Sequence, residues 1–352
     1  MRQPRALIRV NGNIVSGWTG FEVTNNSLYK ADEFEATLSL RNSAPGLDWA
    51  WWASQQVLTV EIFAGVPQDP ARYDSNDLTQ LIVGNADQVD TDPVEGTIHL
   101  TGRDHTALLI DTKSDQKYQN LTSSQIATQL AEAAGLTPNV TPTTTKAGVY
   151  YNIDHVVSST ERSQWDLLTY LAQREGFTVG VSGNTLTFGP LAPDATLFPI
   201  NWIEPNPTLP QANVPLLSFS HNLTLARDVV VKVRSWNAAQ KQAFTKTATI
   251  KHKAGSPGTP QIYSIVKPGL TPYQAEQLAQ TTAHNISLHE IRMRLDNMPG
   301  DSLPTTSQAL QLTGTPYDQT YYPEKIGRRF NSRGYFMDIE AKNVRPESEV
   351  LI

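Results

Sequence analysis

Residues 120–190 constrain the fold most. Two short capped helices, 122–134 and 163–175, lead into a hairpin over 177–188. This compact α/β piece stands between two long regions whose hydrophobic pattern is almost wholly β. Thr122-Ser123-Ser124-Gln125 has the spacing of a capping box, in which hydroxyl and amide satisfy free N–H groups. Ile126, Leu130 and Ala133 then share one helical face, and Gly135 ends the helix. Trp165, Leu168, Leu171 and Ala172 stripe the second helix, with Gly176 as its terminator. Phe177, Val179 and Val181 alternate, Ser182-Gly183-Asn184 turns, and Leu186 and Phe188 return. Residues 142–146 are Thr-rich and read as an exposed loop.

On the N-terminal side, residues 34–40 alternate apolar and polar, the mark of a half-buried strand. Residues 57–64 are β-rich and end at Gly65. Residues 81–89 and 97–102 flank Asp92, Pro93 and Gly96, which predict a hairpin turn. Evenly spaced strands predict a barrel or sandwich. Pro190 to Pro215 holds seven prolines, which rules out a regular helix and predicts an extended connector. Beyond it, 216–225, 229–236 and 243–251 read as strands, and 255–258 as a loop. Thr271-Pro272-Tyr273-Gln274 opens a helix lined by Ala275, Leu278, Ala279, Thr282 and Ile286. Strands follow at 290–295, 309–313 and 334–343. Leu100-Thr101-Gly102 and Leu312-Thr313-Gly314 stand at similar points in the two β regions. The expected fold is therefore mainly β with a small α/β insert. Its segments are a first β-barrel domain (1–115), an α/β domain (116–190), a proline-rich connector (191–215) and a second β-barrel domain with one helix (216–352).

The 352 residues carry a formal net charge of −6 and no long run of Lys or Arg. Affinity for nucleic-acid backbones comes mostly from such cations, so a sequence-reading DNA site is not expected. With no Cys, disulfides and thiolate–metal sites are excluded. The N-terminal residues lack the apolar core of a signal peptide. No apolar stretch reaches the ~20 residues of a membrane span, so no membrane anchor is expected.

Catalytic chemistry finds little footing. His289-Glu290-Ile291-Arg292-Met293 opens like a zinc-protease helix, but Met293 stands where the second His is needed. The His residues are scattered, and no Gly-rich phosphate loop, nucleophile elbow or dinucleotide fingerprint occurs. Neither a catalytic residue, a metal nor a cofactor is expected. Among carboxylates, Glu161 and Asp166 lie at a helix entrance, where acids suit the helix dipole. Asp104 and Asp111 flank an apolar run and read as structural hydrogen-bonding groups. Trp49, Trp51 and Trp52 stand within four residues. They read either as a cover for a barrel end or as a subunit contact, because aromatic anchors are favoured at interfaces.

Gly102-Arg103-Asp104 with Leu108-Leu109-Ile110-Asp111 resembles a stretch of the late control protein D family, the central baseplate hubs of contractile phage tails. Ser124-Gln125-Ile126-Ala127, Trp165-Asp166-Leu167-Leu168, Arg174-Glu175-Gly176-Phe177 and Leu186-Thr187-Phe188 follow one another in the order of that family's middle domain. Residues 229–236, Leu312-Thr313-Gly314, Phe330 and Gly334-Tyr335-Phe336 resemble its second β domain. The resemblance implies two related tube-type β-barrels per chain and a homotrimer that adapts a sixfold tail tube to a threefold spike. It also implies partners: the tail tube protein, a separate spike protein, baseplate wedge and tape-measure proteins, and DNA only in transit. The implied location is the virion tail baseplate, assembled in the bacterial host cytoplasm. Other readings are the hub of a tailocin or extracellular injection system, a tail-associated peptidoglycan hydrolase, or a sugar-binding β protein.

Overall fold

In a computed structural model, residues 3–27, 29–43, 46–114, 118, 120–144, 162–190, 197–203, 211–222, 228–237, 242–251, 259–288, 291–300 and 305–343 are described. The chain is mainly β and divides into two compact units. One holds residues 1–195, 297–303 and 325–338, the other 196–296, 304–324 and 339–352.

The first unit begins with β1 (Arg5–Val10), β2 (Asn13–Val15), β3 (Trp18–Asn26) and β4 (Glu33–Ser39). It continues with β5 (Thr59–Gly65), β6 (Thr79–Asp92) and β7 (Thr97–Asp104). Asn11 and Gly12 both take positive φ in the β1–β2 turn, the conformation an Asn-Gly hairpin demands. At the expected β6–β7 turn, Asp92 Oδ1 accepts from the N–H of Val94 (2.8 Å) and of Glu95 (2.9 Å). The strand order is β3-β4-β7-β6-β5-β1-β2, and residues 325–330 add antiparallel to the free side of β3. Strands from both ends of this order, Val15 on one side and Phe21 and Tyr335 on the other, share one hydrophobic cluster. The sheet therefore curls around a single core of fully buried Ile8, Val10, Leu38, Val60, Ile62, Ile98 and Leu100.

The α/β module forms within the same unit. Helices Ser123–Ala133 and Gln164–Glu175 cover one face of a sheet ordered β11-β12-β9. Its strands are β9 (Thr137–Val140), β11 (Thr178–Ser182) and β12 (Thr185–Gly189). The short strands β8 (Lys113–Ser114) and β10 (Arg162–Ser163) pair beside it. The predicted capping box is present in full: Thr122 Oγ1 accepts from Gln125 N–H, and Gln125 Oε1 accepts from Thr122 N–H. Both helices end alike. Gly135 and Gly176 take positive φ, and the N–H of Leu136 and of Phe177 reaches back to the carbonyls of Ala131 and Ala172. An unforeseen helix, Thr106–Asp111, sets Leu109 in the module core. Trp165 Nε1–H donates to Tyr29 O (3.1 Å), and His105 Nδ1 lies 3.0 Å from Gly183 O. These contacts brace the module on the sheet that precedes it.

In the second unit, β13 (Phe198–Ile203) pairs with β14 (Gln211–Ala212) and, in parallel, with β20 (Leu310–Thr313). The proline-rich run thus supplies strands as well as linkage, because Pro199 stands in β13 at an exposed position. β15 (Leu216–His221) runs antiparallel to β19 (Ile291–Pro299). β21 (Thr320–Asn331) and β22 (Gly334–Lys342) complete the strands; their residues 325–338 belong to the first unit and the rest to the second. The helix Pro272–Leu288 packs on a separate sheet ordered β17-β16-β18. Its strands are β16 (Val229–Asn237), β17 (Gln242–Ile250) and β18 (Gln261–Val266). Buried Val229, Val231 and Val233 meet Ala275, Ala279 and Ala283, whose small side chains let helix and sheet approach closely. The region read as one β domain with a helix therefore contains a second α/β layer. The loop expected at 255–258 lies outside the described residues.

A Cβ on Gly102 would meet Asn85 O and the Phe34 ring inside this packing. Gly102→Ala is expected to lower stability by about 1–3 kcal/mol, read as a lower urea midpoint at unchanged m-value.

Candidate interaction surface

The tryptophan run folds as a short helix, Trp49–Ser54, capped by Asp48, whose Oδ1 accepts from Trp51 N–H (2.9 Å). Trp52 is buried in the core of the first unit, 3% exposed, and Trp51 packs edge-on against it with ring centroids 4.9 Å apart. Trp49 points outward, 51% exposed. One ring of this helix is thus buried in the core and another lies at the surface. Asn11 ties the following segment down, donating from Nδ2 to Gln55 Oε1 and Val57 O (both 3.2 Å). Val57 and Ile14, each more than half exposed, add apolar surface to the same unit.

The carboxylates weighed for chemistry are engaged in structure. Asp166 completes a reciprocal cap with Ser163: its N–H donates to Ser163 Oγ (3.0 Å), and its Oδ2 accepts from Ser163 N–H (3.2 Å). Asp111 and Asp87 grip Arg103 from two sides at 2.8 and 2.7 Å. Glu161 lies outside the described residues. So do His289 and Glu290, and the residues after them form β19, a strand, which cannot place ligands at helical spacing. Among the described residues no group of three His, Cys, Asp or Glu could hold a metal.

A buried polar cluster lies between β3, β4, β7 and the returning strand. Asp32 accepts from Asn25 Nδ2–H and Asn26 N–H, both at 2.7 Å, and Arg328 Nη1–H donates to Asn25 Oδ1 (2.9 Å). Asp104 N–H donates to Asp32 O (2.9 Å), and the Asp104 carboxylate accepts from Thr106 N–H and Oγ1–H. Burial raises the Asp32 carboxyl above its ordinary range. Burial first, and then the charge of Asp32, pushes Asp104 up to about 7. Asp32, Asn25 and Arg328 form a cluster that the motif search passes over. One signal was available: in Ile326-Gly327-Arg328-Arg329-Phe330, Arg328 occupies an inward position of a period-two strand.

Two measurements follow. Because Asp104 stays protonated longer in the folded chain, its contribution to stability is complete below the unfolded value of 3.8 and is lost as pH rises to about 7. Asp104→Asn is expected to flatten that decline, so that the variant gains on the wild type in denaturant midpoint between pH 5 and pH 8. Trp52→Ala should cost about 3–5 kcal/mol in urea unfolding, and Trp49→Ser no more than about 0.5 kcal/mol.

No protein-family model and no curated protein matches the chain in sequence. Solved structures do match it in fold over nearly its whole length. A tail protein from Neisseria meningitidis MC58 superposes with a TM-score of 0.68 at 13% identity, covering 96% of each chain. The 43 kDa tail protein of prophage MuSo2 from Shewanella oneidensis gives 0.68 at 14% identity, covering 98% of this chain and 99% of the other. The E. coli c3393 protein is a type VI secretion component described as structurally similar to the T4 tail proteins gp27 and gp5. It gives 0.51 at 10% identity, over 97% of this chain and 77% of its own. The chain is thus mainly β, as the resemblance implied, and shares its overall fold with these tail and secretion-system structures.

Proposed function

We propose that this chain is the structural hub of a contractile-tail baseplate, a homotrimer that adapts a sixfold tail tube to a threefold central spike. The observation that carries the reading is the full-length likeness to two tail proteins, in a chain built as two compact β-rich units. Three copies of a two-unit chain can offer six wedges to a six-membered tube, provided each contact repeats under the symmetry. The partners in this reading are the tube protein, a separate spike protein, wedge proteins and a tape-measure protein. The product is a virion tail put together in the host cytoplasm. DNA passes through without being gripped, which the net charge of −6 favours. Among the described residues no helix is long and apolar enough to cross a membrane.

The chain is read as non-enzymatic, since Asp104, Asp111 and Asp166 all serve turns, caps or ion pairs. A second reading, the hub of a tailocin or injection machine that carries no DNA, draws on the likeness to the secretion component. Capsid and terminase genes beside the coding sequence favour the phage tail, and their absence the other machine.

Native mass spectrometry of the purified chain is expected to show a mass of three copies. A monomer at every concentration tested would overturn the hub reading. Zymography on peptidoglycan is expected to show no clearing, and clearing would overturn the non-enzymatic reading.

A further inference from the structure

The two small sheets share a layout and differ in the face turned away from their helices. In the first unit that face carries Asn139, Gly180 and Thr187 side by side, a surface water can cover without penalty. In the second unit the corresponding face of β16 and β18 mixes exposed apolar groups with two cations and the Ser264 hydroxyl. Trp236 is 50% exposed, Ile262 59% and Val266 72%, and the register sets Arg234 directly beside Val266. Lys232 and Arg234 stand between these apolar groups on the outer side of β16. Among the described residues neither has an ion-pair partner. Among the described residues β18 is moreover an edge strand, paired with β16 alone. Exposed apolar side chains on a sheet with an open edge form an adhesive surface unless something covers it.

The chain carries a surface of opposite sign. Glu22 on β3 and Glu35 on β4 are exposed and sit directly opposite each other across the strands. Like charges so placed repel. Arg329, the cross-strand neighbour of Glu22 on its other side, is bound instead to Asp338 and Asn297. Among the described residues neither glutamate has an ion-pair partner, and a like-charged pair so placed is tolerated at a surface that receives cations from elsewhere.

We propose that the outer face of the β17-β16-β18 sheet is a docking surface for a second copy of this chain. Lys232 and Arg234 of one copy meet Glu22 and Glu35 of the next, while Trp236, Ile262 and Val266 are covered. The inference rests on the homotrimeric reading above and adds the surface that carries it. Because the two faces differ, the contact is head-to-tail, the kind that closes into a ring when the rotation allows.

The test uses the full chain and its association measured by native mass spectrometry and sedimentation. Lys232→Glu/Arg234→Glu and, separately, Glu22→Lys/Glu35→Lys are each expected to weaken association by at least ~10-fold, by placing like charges across the contact. All four substitutions in one chain are expected to restore it. Circular dichroism and thermal midpoints establish that each variant folds, and Lys232→Gln/Arg234→Gln replaces a reversal that does not. An oligomer unmoved by both reversals, or one that the fourfold variant fails to restore, overturns the docking surface and leaves the trimer standing. A wild-type chain that stays monomeric removes the trimer itself.

Discussion

The return of residues 325–338 to the sheet built by the first hundred residues is the constraint on which the first unit depends. Without it β3 would be an edge strand, with a row of N–H and C=O groups facing outward. The return also supplies Phe330, which packs against Trp18 and Phe21 and stacks on Tyr335. It further delivers Arg328 to the half-buried Asp32, beside the buried Asp104. Burying those acids without a cation or donors would be costly, because charge desolvated in a low-dielectric interior must be paired or neutralised. Asn25 joins the parties, donating to Asp32 and accepting from Arg328. Hydrophobic, hydrogen-bonding and electrostatic terms therefore all fix the same strand in the same register.

Each unit carries a small sheet with helices on one face, and the two are packed by different means. In the first, large side chains such as Trp165, Leu168 and Phe188 fill the space between helix and strand. In the second, an alanine ladder meets a valine ladder.

The two capped helices and the hairpin of the α/β module were legible in the sequence, because capping boxes and terminal glycines act locally, whereas β9 and the helix Thr106–Asp111 were not. Thr122, Gln125, Gly135 and Gly176 do in the structure what their neighbours alone dictate. The hairpin at Asp92–Gly96 was readable for the same reason. The strand β13 was hidden by its prolines, since its pairing with β20 is set by residues about a hundred positions away. The helix at Trp49 hid behind its rings, because aromatic residues favour strands and only the Asp48 cap argues otherwise. The polar cluster was the hardest to see. Asn25, Asp32 and Arg328 are unremarkable singly and acquire meaning only when the chain brings its distant ends together. The tryptophans posed a choice between burial and contact that no spacing rule could decide, and the helix gave Trp52 one role and left Trp49 outside.

The Arg328–Asn25 hydrogen bond spans 303 positions of chain. A ribosome adding about 5–20 residues per second needs roughly 15–60 s to travel that far. Until then β3 lacks its antiparallel neighbour and Asp32 lacks the guanidinium that faces it. Completion of the sheet is thereby timed by a segment made about 300 positions after its first strands, and a product stopped short of residue 325 is left with a gap in its wall.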